Sequence, residues 1–178
     1  APHWDQYARG TIAGLTRGAN KGHLARAAIE SMAYQVADVI DAMEADSGIE
    51  TTELRADGGA AANDLLLQFQ SDILDIPVVR PGILETTALG AAYLAGLAVG
   101  FWEDQAEIKD QWRLDQMFTP SLSSDRIDEL RADWSKALDR ARAWEEPDTS
   151  ESVAPDPSDS EDPAVEQESR NEEAATAS

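Results

Sequence analysis

The stretch that decides the fold is Leu54-Arg55-Ala56-Asp57-Gly58-Gly59-Ala60-Ala61-Ala62-Asn63, which leads directly into a Leu-rich segment that extends to residue 74. A short segment of five residues, two adjacent glycines and then a run of helix-forming residues predict a strand at 53–57, a tight turn and a helix over 63–74. A strand and a helix joined by a glycine turn are typical of α/β proteins.

The glycine turn is the one segment that has the features of a ligand site. Glycines directly after a strand let backbone N–H groups approach a ligand without an intervening Cβ, and the helix that follows directs its N–H groups and positive dipole end toward the same place, which favours phosphate. Asn63 can either cap this helix or direct its amide toward a nucleotide. Gly-Gly turns between a strand and a helix are also common without any ligand, so both interpretations stay open at this point.

Upstream of this stretch, residues 23–45 predict a long amphipathic helix that ends near Gly48. Apolar residues recur there at steps of three and four: Leu24, Ala28, Met32, Val36, Val39, Ile40 and Met43.

Downstream, residues 77–81 predict a short strand, placed at a sheet edge because proline bounds it on both sides. Residues 86–102 then carry no charge, but this run of 17 residues is shorter than a membrane span and rich in Gly and Ala. It predicts a buried helix packed closely against a sheet. Residues 124–146 predict the last helix, with Ser124 or Asp125 as its N-cap.

The chain divides near Pro147 into two parts of different composition. Residues 147–178 contain ten acidic residues, one Arg and no aromatic residue, so they cannot bury enough apolar surface to offset the entropy of ordering. We therefore predict a folded domain over 1–146 and a disordered acidic tail over 147–178. The alternative for the tail is an acidic segment that binds a partner.

The composition excludes several classes of function. A net charge of −21 repels nucleic-acid backbones and anionic membrane surfaces. The absence of cysteine excludes disulfides, thiolate nucleophiles and Cys-based metal sites, and two histidines leave little for a His-rich metal site. Arg outnumbers Lys by 11 to 3, and the acidic residues are spread along the chain, which is typical of proteins kept soluble in concentrated salt. Neither G-x-x-x-x-G-K-[ST] nor G-x-G-x-x-G occurs, so a P-loop and a Rossmann site are excluded.

Several separate motifs resemble the FGGY family of carbohydrate kinases. The stretch RGTIAGLTRGANKGHLARAAIE at 9–30 resembles the family's second signature, through Gly10, Gly14-Leu15, His23-Leu24 and Ala27 to Glu30. Four further stretches, listed here in chain order, resemble the glycerol-phosphorylating members of the family: APHWDQYARG, LRADGGAAAN, LLLQFQSDIL and ETTALGAAYLAGLAVGFW. The resemblance covers essentially residues 1–146.

This resemblance implies an α/β domain of the actin-like ATPase superfamily with a ribonuclease-H-like fold, incomplete at its N-terminal side. It implies that Gly58, Gly59 and Asn63 contact ADP or ATP, and that Mg²⁺ and glycerol bind mainly through residues upstream of Ala1. No catalytic and no metal-ligating residue is expected within the chain itself. Asp57 lies beside the glycines, but an Asp at such a turn more often bonds nearby backbone N–H groups than acts as a base.

The resemblance further implies a cytoplasmic, self-associating kinase of which this chain alone is inactive. Two alternatives remain open: a member of the same family that acts on a pentose or hexose derivative, and a non-catalytic, actin-like interaction module.

Overall fold

The computed structural model describes residues 2–145, which form an α/β unit. Its helices and strands alternate along the chain except at α3 and α4, which follow one another, and a 3₁₀ turn at Gly59–Ala62 lies between the first strand and the second helix. The elements in chain order are α1 (Lys21–Ser47), β1 (Leu54–Arg55), α2 (Asp64–Leu74), β2 (Val78–Pro81), α3 (Thr86–Ala98), α4 (Gln105–Lys109), β3 (Leu114–Phe118) and α5 (Ser124–Ala141).

The three strands form one mixed sheet with the order β1-β2-β3. β1 runs parallel to β2, with Leu54 opposite Val78, and β3 runs antiparallel to β2, with Phe118 opposite Val78. The prediction of β2 as an edge strand is therefore wrong, because β2 is the central strand. Pro77 precedes the ladder and Pro81 lies at its last position, next to a register irregularity, so neither proline removes a hydrogen bond from the middle of the strand.

Both ends of α1 are set by local hydrogen bonds. At the start, the Asn20 Oδ1 accepts from the backbone N–H groups of Gly22 and His23, and the His23 Nδ1 accepts from the Asn20 N–H. At the end, Gly48 adopts the left-handed conformation with φ 68° and donates its N–H to the Glu44 carbonyl. The predicted end near Gly48 is confirmed, and His23 takes part in the cap at the start of the helix.

The core consists of two apolar clusters on either side of α2. Helices α1, α2 and α5 meet in the first, which is built on Ala33, Ala37, Leu66, Phe69 and Ile73. The 3₁₀ turn, α2 and the sheet meet in the second, which is built on Ala61, Leu67, Val78 and Phe118. α2 therefore connects the helical layer to the sheet.

The apolar stripe predicted along α1 is not what the helix buries. Met32, Val36 and Val39 remain 37–42% exposed, whereas Ala33 and Ala37 are 0% and 2% exposed. α1 has apolar residues on two faces, and the face with alanines allows α2 to approach closely enough for the Gln70 Nε2 to donate to the Ala33 carbonyl.

The predicted buried helix at 86–102 is correct as a helix and wrong as a buried one. α3 ends at Ala98, only its Gly96 is buried, and Leu94 and Val99 are 71% and 81% exposed. Among the described residues, three short strands provide too little surface to cover both this helix and α2.

The predicted last helix is confirmed with shorter limits. α5 begins one residue after Ser123, which is its N-cap in place of Ser124 or Asp125, and it ends at Ala141. Ile127, Leu130 and Trp134 of this helix face the core, while Trp144 lies beyond the helix and is 62% exposed. The sequence patterns did not predict α4 and β3.

The predicted acidic tail at 147–178 lies outside the described residues. Within residues 2–145, no helix is both long enough and apolar enough to span a bilayer.

Candidate functional site

The predicted glycine turn lies directly after β1 and leads through the 3₁₀ turn into α2. Gly58 has φ 82° and ψ 175°, a conformation that is essentially restricted to glycine. Its N–H donates to the Leu84 carbonyl at 2.9 Å, and its carbonyl accepts from the Ala61 N–H at 3.1 Å. These two bonds hold the turn between the end of β2 and the start of α2. Gly58 is therefore required by the backbone conformation itself.

Gly59 is the exposed residue of this pair. No atom lies within 4 Å of the position that a Cβ would occupy on Gly59, and its φ is ordinary. The surface in front of the turn is thus open, at the end of the sheet where the parallel strands β1 and β2 both terminate. Ligands of open α/β sheets bind outside the carboxyl ends of parallel strands, so Gly59 lies where such a ligand is expected.

Asn63 is the N-cap of α2. Its Oδ1 accepts from the backbone N–H groups of Leu65 at 3.0 Å and Leu66 at 3.2 Å. The phosphate interpretation of the sequence required free N–H groups at the start of α2. Two N–H groups of the first helical turn are already bonded to this oxygen, so the helix does not present such a set of free donors. The Asn63 Nδ2 donates no hydrogen bond within residues 2–145, so it is available to an acceptor such as a ring nitrogen or a ribose oxygen.

Arg80 lies in β2 and holds this turn in place through its hydrogen bonds. It was not among the site residues predicted from the sequence. Its Nη1 donates to the Ala61 carbonyl at 3.0 Å and to the Asp64 Oδ1 at 2.7 Å, and its Nε donates to the Asp115 Oδ2 at 2.6 Å. The hydrogen bonds with Asp64, and then those with Asp115, raise the pKa of Arg80 above its usual value. A lone Arg within a strand of otherwise apolar residues was the available signal, because such a cation needs partners from neighbouring elements.

Arg80 also determines the charge beside the turn. Asp64 stands in the first turn of α2, where its carboxylate would repel a phosphate group, but its charge is paired with Arg80. Arg80 also pairs with Asp115, so it offsets only one of these two negative charges. The surroundings of Asn63 therefore stay negative, which suits the nucleoside part of a nucleotide better than its phosphates.

Two further features of the site are the Asp57 side chain and the arrangement of possible metal ligands. The Asp57 side chain is exposed and accepts no hydrogen bond from the described residues, contrary to the expectation that it would bond nearby N–H groups. Within residues 2–145 there is no group of three or more Asp, Glu or His side chains arranged to hold a metal ion. We therefore derive no step through Mg²⁺ from the residues of this chain.

The open space at Gly59 and the available amide of Asn63 are a fit for a nucleotide, because a Cβ at Gly59 would project into that space. Gly58, Gly59 and Asn63 lie within six residues of one another on a single turn, so the fold keeps the three predicted site residues together.

Comparisons with curated proteins identify close relatives. The chain is 57% identical over 147 residues to a glycerol kinase from Trichlorobacter lovleyi, which covers 83% of this chain and 30% of that protein. It is 61% identical over 146 residues to a glycerol kinase from Fusobacterium nucleatum, covering 82% of this chain and 29% of that protein. The chain thus spans about 30% of the length of the curated relatives it matches.

Comparison with solved structures gives the same result for the fold. The crystal structure of Plasmodium falciparum glycerol kinase with ADP matches with a TM-score of 0.71 and 34% identity, over 79% of this chain and 28% of that one. A ligand-bound xylulose kinase from Lactobacillus acidophilus matches with a TM-score of 0.60 and 28% identity, over 78% of this chain and 29% of that one. Residues 1–99 match the C-terminal domain of the FGGY family of carbohydrate kinases. The chain belongs to this family, and residues 2–145 carry the α/β, actin-like fold of its C-terminal domain.

Proposed function

We propose that this chain is the C-terminal, nucleotide-binding part of a kinase that transfers the γ-phosphoryl group of ATP to glycerol. The observation that carries the proposal is the open glycine turn at Gly58 and Gly59, followed by the Asn63 cap, in a chain 57–61% identical to several glycerol kinases. A structural match with a glycerol kinase crystallised with ADP supports the nucleotide assignment.

In the proposed complex, Gly59 lets the nucleoside approach the backbone, and the Asn63 Nδ2 donates to an acceptor on it. Gly58, whose front is also open, can contact the nucleotide as well. The hydrogen bonds of Gly58 and Arg80 to Leu84, Ala61 and Asp64 position the turn. The pairing of Asp64 with Arg80 reduces the repulsion between this end of the site and the nucleotide. Residues outside this chain would bind the phosphates and glycerol.

The proposed reaction is a displacement at phosphorus. A glycerol hydroxyl oxygen forms a bond to the γ-phosphorus, the bond from that phosphorus to the bridging oxygen breaks, and ADP leaves. The hydroxyl proton passes to a general base, which we place outside this chain. Mg²⁺, when bound to the nucleotide, neutralises charge on the phosphates. The contribution of this chain is binding and orientation, which are a large part of catalysis in phosphoryl transfer.

The nearest alternative is another sugar kinase of the same family. Xylulose and gluconate kinases from Lactobacillus acidophilus match the fold with 27–28% identity and TM-scores of 0.59–0.60, lower than the corresponding values of the glycerol kinase structure. We therefore favour glycerol. Comparing kcat/KM of the full-length protein for glycerol, xylulose and gluconate separates the two, and a preference for either of the others would reject glycerol as the substrate.

Asn63 provides the main test, because its two side-chain atoms have different roles. In the full-length protein, Asn63→Ser keeps an oxygen that can cap α2 but removes the amide donor. We expect it to retain the stability of the parent, within about 0.5 kcal/mol, and to raise KM for ATP several-fold more than KM for glycerol. Asn63→Ala removes both groups, so it should raise KM for ATP similarly and also lower the free energy of unfolding by about 1 kcal/mol.

Steady-state kinetics with each substrate varied in turn, together with urea denaturation, measure both effects. If Asn63→Ser changed the two KM values equally, or neither, the amide would not bind the nucleotide. ATP binding without turnover by the full-length protein would favour the non-catalytic module.

Three further properties are proposed on the same resemblance: self-association, a cytoplasmic location and inactivity of this chain alone. A turnover assay of the isolated chain with ATP and glycerol should show no product. Light scattering of the full-length protein reports its oligomeric state.

A further inference from the structure

A cavity lies at the carboxyl ends of β1 and β2, and it is distinct from the glycine turn. It has a volume of about 450 Å³ and lies between the first half of α3 and the segment that joins α4 to β3. None of Gly58, Gly59 and Asn63 lines it. Leu84, whose carbonyl accepts the Gly58 N–H, directly follows Ile83, which lines this cavity.

The lining of this cavity is apolar and aromatic with a basic rim. Leu89 and Tyr93 come from α3, and Trp112 comes from the segment before β3. Cations are contributed by Arg55, Lys109 and Arg113. Among the described residues, no Asp or Glu lines the cavity, although the chain carries 35 acidic and 14 basic residues. The cavity is therefore a locally basic place on a strongly acidic protein.

Two of these cations have no carboxylate partner within residues 2–145. Lys109 forms no ion pair there, and the Arg113 Nη1 donates only to the backbone carbonyls of Asp110 and Trp112. Arg55 pairs with Glu53 at 3.0 Å, and its guanidinium stands 5.1 Å from the centre of the Trp112 ring. Arg55 thus fixes the indole against the cavity wall, and Lys109 and Arg113 remain available to an anion.

We propose that this cavity binds a small organic anion, with its aromatic or aliphatic body against Leu89, Tyr93 and Trp112 and its carboxylate, sulfonate or phosphate group toward Lys109 and Arg113. A volume of about 450 Å³ falls in the range of small-molecule sites, which are mainly apolar with few polar groups that set orientation. The apolar body contributes affinity through burial, and the cations select the charge.

The test uses the full-length protein saturated with ADP, so that the nucleotide site is occupied. Anilinonaphthalene sulfonate is the anionic probe, and N-phenylnaphthylamine is a neutral probe of similar size. We expect saturable binding of the sulfonate at one site, followed by its fluorescence and by calorimetry. The double variant Lys109→Gln/Arg113→Gln should bind the sulfonate about tenfold more weakly and the neutral probe unchanged.

Two further variants serve as controls. Lys136→Gln/Arg140→Gln removes the same two charges from α5, outside the cavity, and should bind both probes like the parent. Gly90→Leu fills the cavity from α3, where no atom lies within 4 Å of a Cβ, so it should abolish binding of both probes while the protein stays folded.

Two results would overturn the proposal. The first is the absence of saturable sulfonate binding in the folded parent protein, which would mean that other parts of the full-length chain fill the cavity. The second is equal affinity of the cavity double variant and the α5 double variant for the sulfonate.

Discussion

At the scale of single residues, Gly58 and Gly59 are adjacent but have different roles. Gly58 is needed because of its backbone conformation, at φ 82° and ψ 175°. Gly59 has an ordinary φ and is needed, in the proposed function, because of the open space in front of it. A comparison of the same substitution at both positions therefore separates folding from binding.

The prediction for this pair concerns alanine variants of the full-length protein. Gly58→Ala forces an L-residue into a conformation that costs about 1–3 kcal/mol, so it should lower the free energy of unfolding by that amount. Gly59→Ala should leave stability within about 0.5 kcal/mol of the parent and raise KM for ATP. Urea denaturation and steady-state kinetics measure the two effects. A Gly59→Ala variant with unchanged KM for ATP would show that the nucleotide does not approach this backbone.

At the scale of elements, α2 is the helix on which the unit depends, and its two ends differ in quality. Its start is well capped by Asn63, whereas its end is capped by Asp75, a non-glycine residue in the left-handed conformation with φ 54°. A carboxylate is also unfavourable at the negative end of a helix dipole. The end of α2 is thus a place where the sequence can be improved.

The prediction is that Asp75→Gly raises the free energy of unfolding by about 0.5–1 kcal/mol, since glycine adopts this conformation without the Cβ penalty. Asp75→Ala removes the unfavourable charge but keeps the Cβ, and alanine tolerates the left-handed conformation less well than aspartate, so we expect no net gain from it. Denaturant midpoints of the two variants against the parent measure the difference. An equal gain from both variants would assign the effect to charge and not to backbone conformation.

At the scale of the whole unit, Tyr34 joins three helices. Its ring stacks on Trp134 of α5 at 5.1 Å between centroids and meets Phe69 of α2 edge-on at 5.3 Å. The Trp134 Nε1 also donates to the Asp38 carboxylate of α1 at 2.9 Å, which adds a hydrogen bond to the ring contact between α1 and α5. Burial, and then the nearby Glu30 charge, raise the pKa of Tyr34 to about 12.

This pKa predicts a loss of stability at alkaline pH. Below about pH 10 the Tyr34 hydroxyl is protonated in both the folded and the unfolded chain, so its contribution is constant. Between about pH 10 and 12 the unfolded chain loses this proton and the folded chain keeps it, so the free energy of unfolding falls as the pH rises. Urea denaturation across this range should show that Tyr34→Phe reduces the fall. An unchanged fall in Tyr34→Phe would contradict the assignment.

The sequence predicted local features well and burial poorly. The N-cap at Asn63, the end of α1 at Gly48 and the presence of helices α1, α2, α3 and α5 follow from residues within one or two turns of each other. Their patterns are therefore visible in the sequence. β3 was missed because four of its five residues are exposed and only Phe118 is buried, which leaves no alternation to detect. α3 was predicted as buried from its lack of charge, a property that does not specify what covers it.

What the sequence by itself determined is the glycine turn, the presence of helices α1, α2, α3 and α5, and the family, because backbone preferences and motifs are encoded in neighbouring residues. Only the tertiary structure decided that α1 buries Ala33 and Ala37, that β2 is central, and that Arg80 bonds both Asp64 and Asp115. These features depend on groups far apart in the chain, whose contacts are selected by close packing and by the need of a partly buried cation for partners.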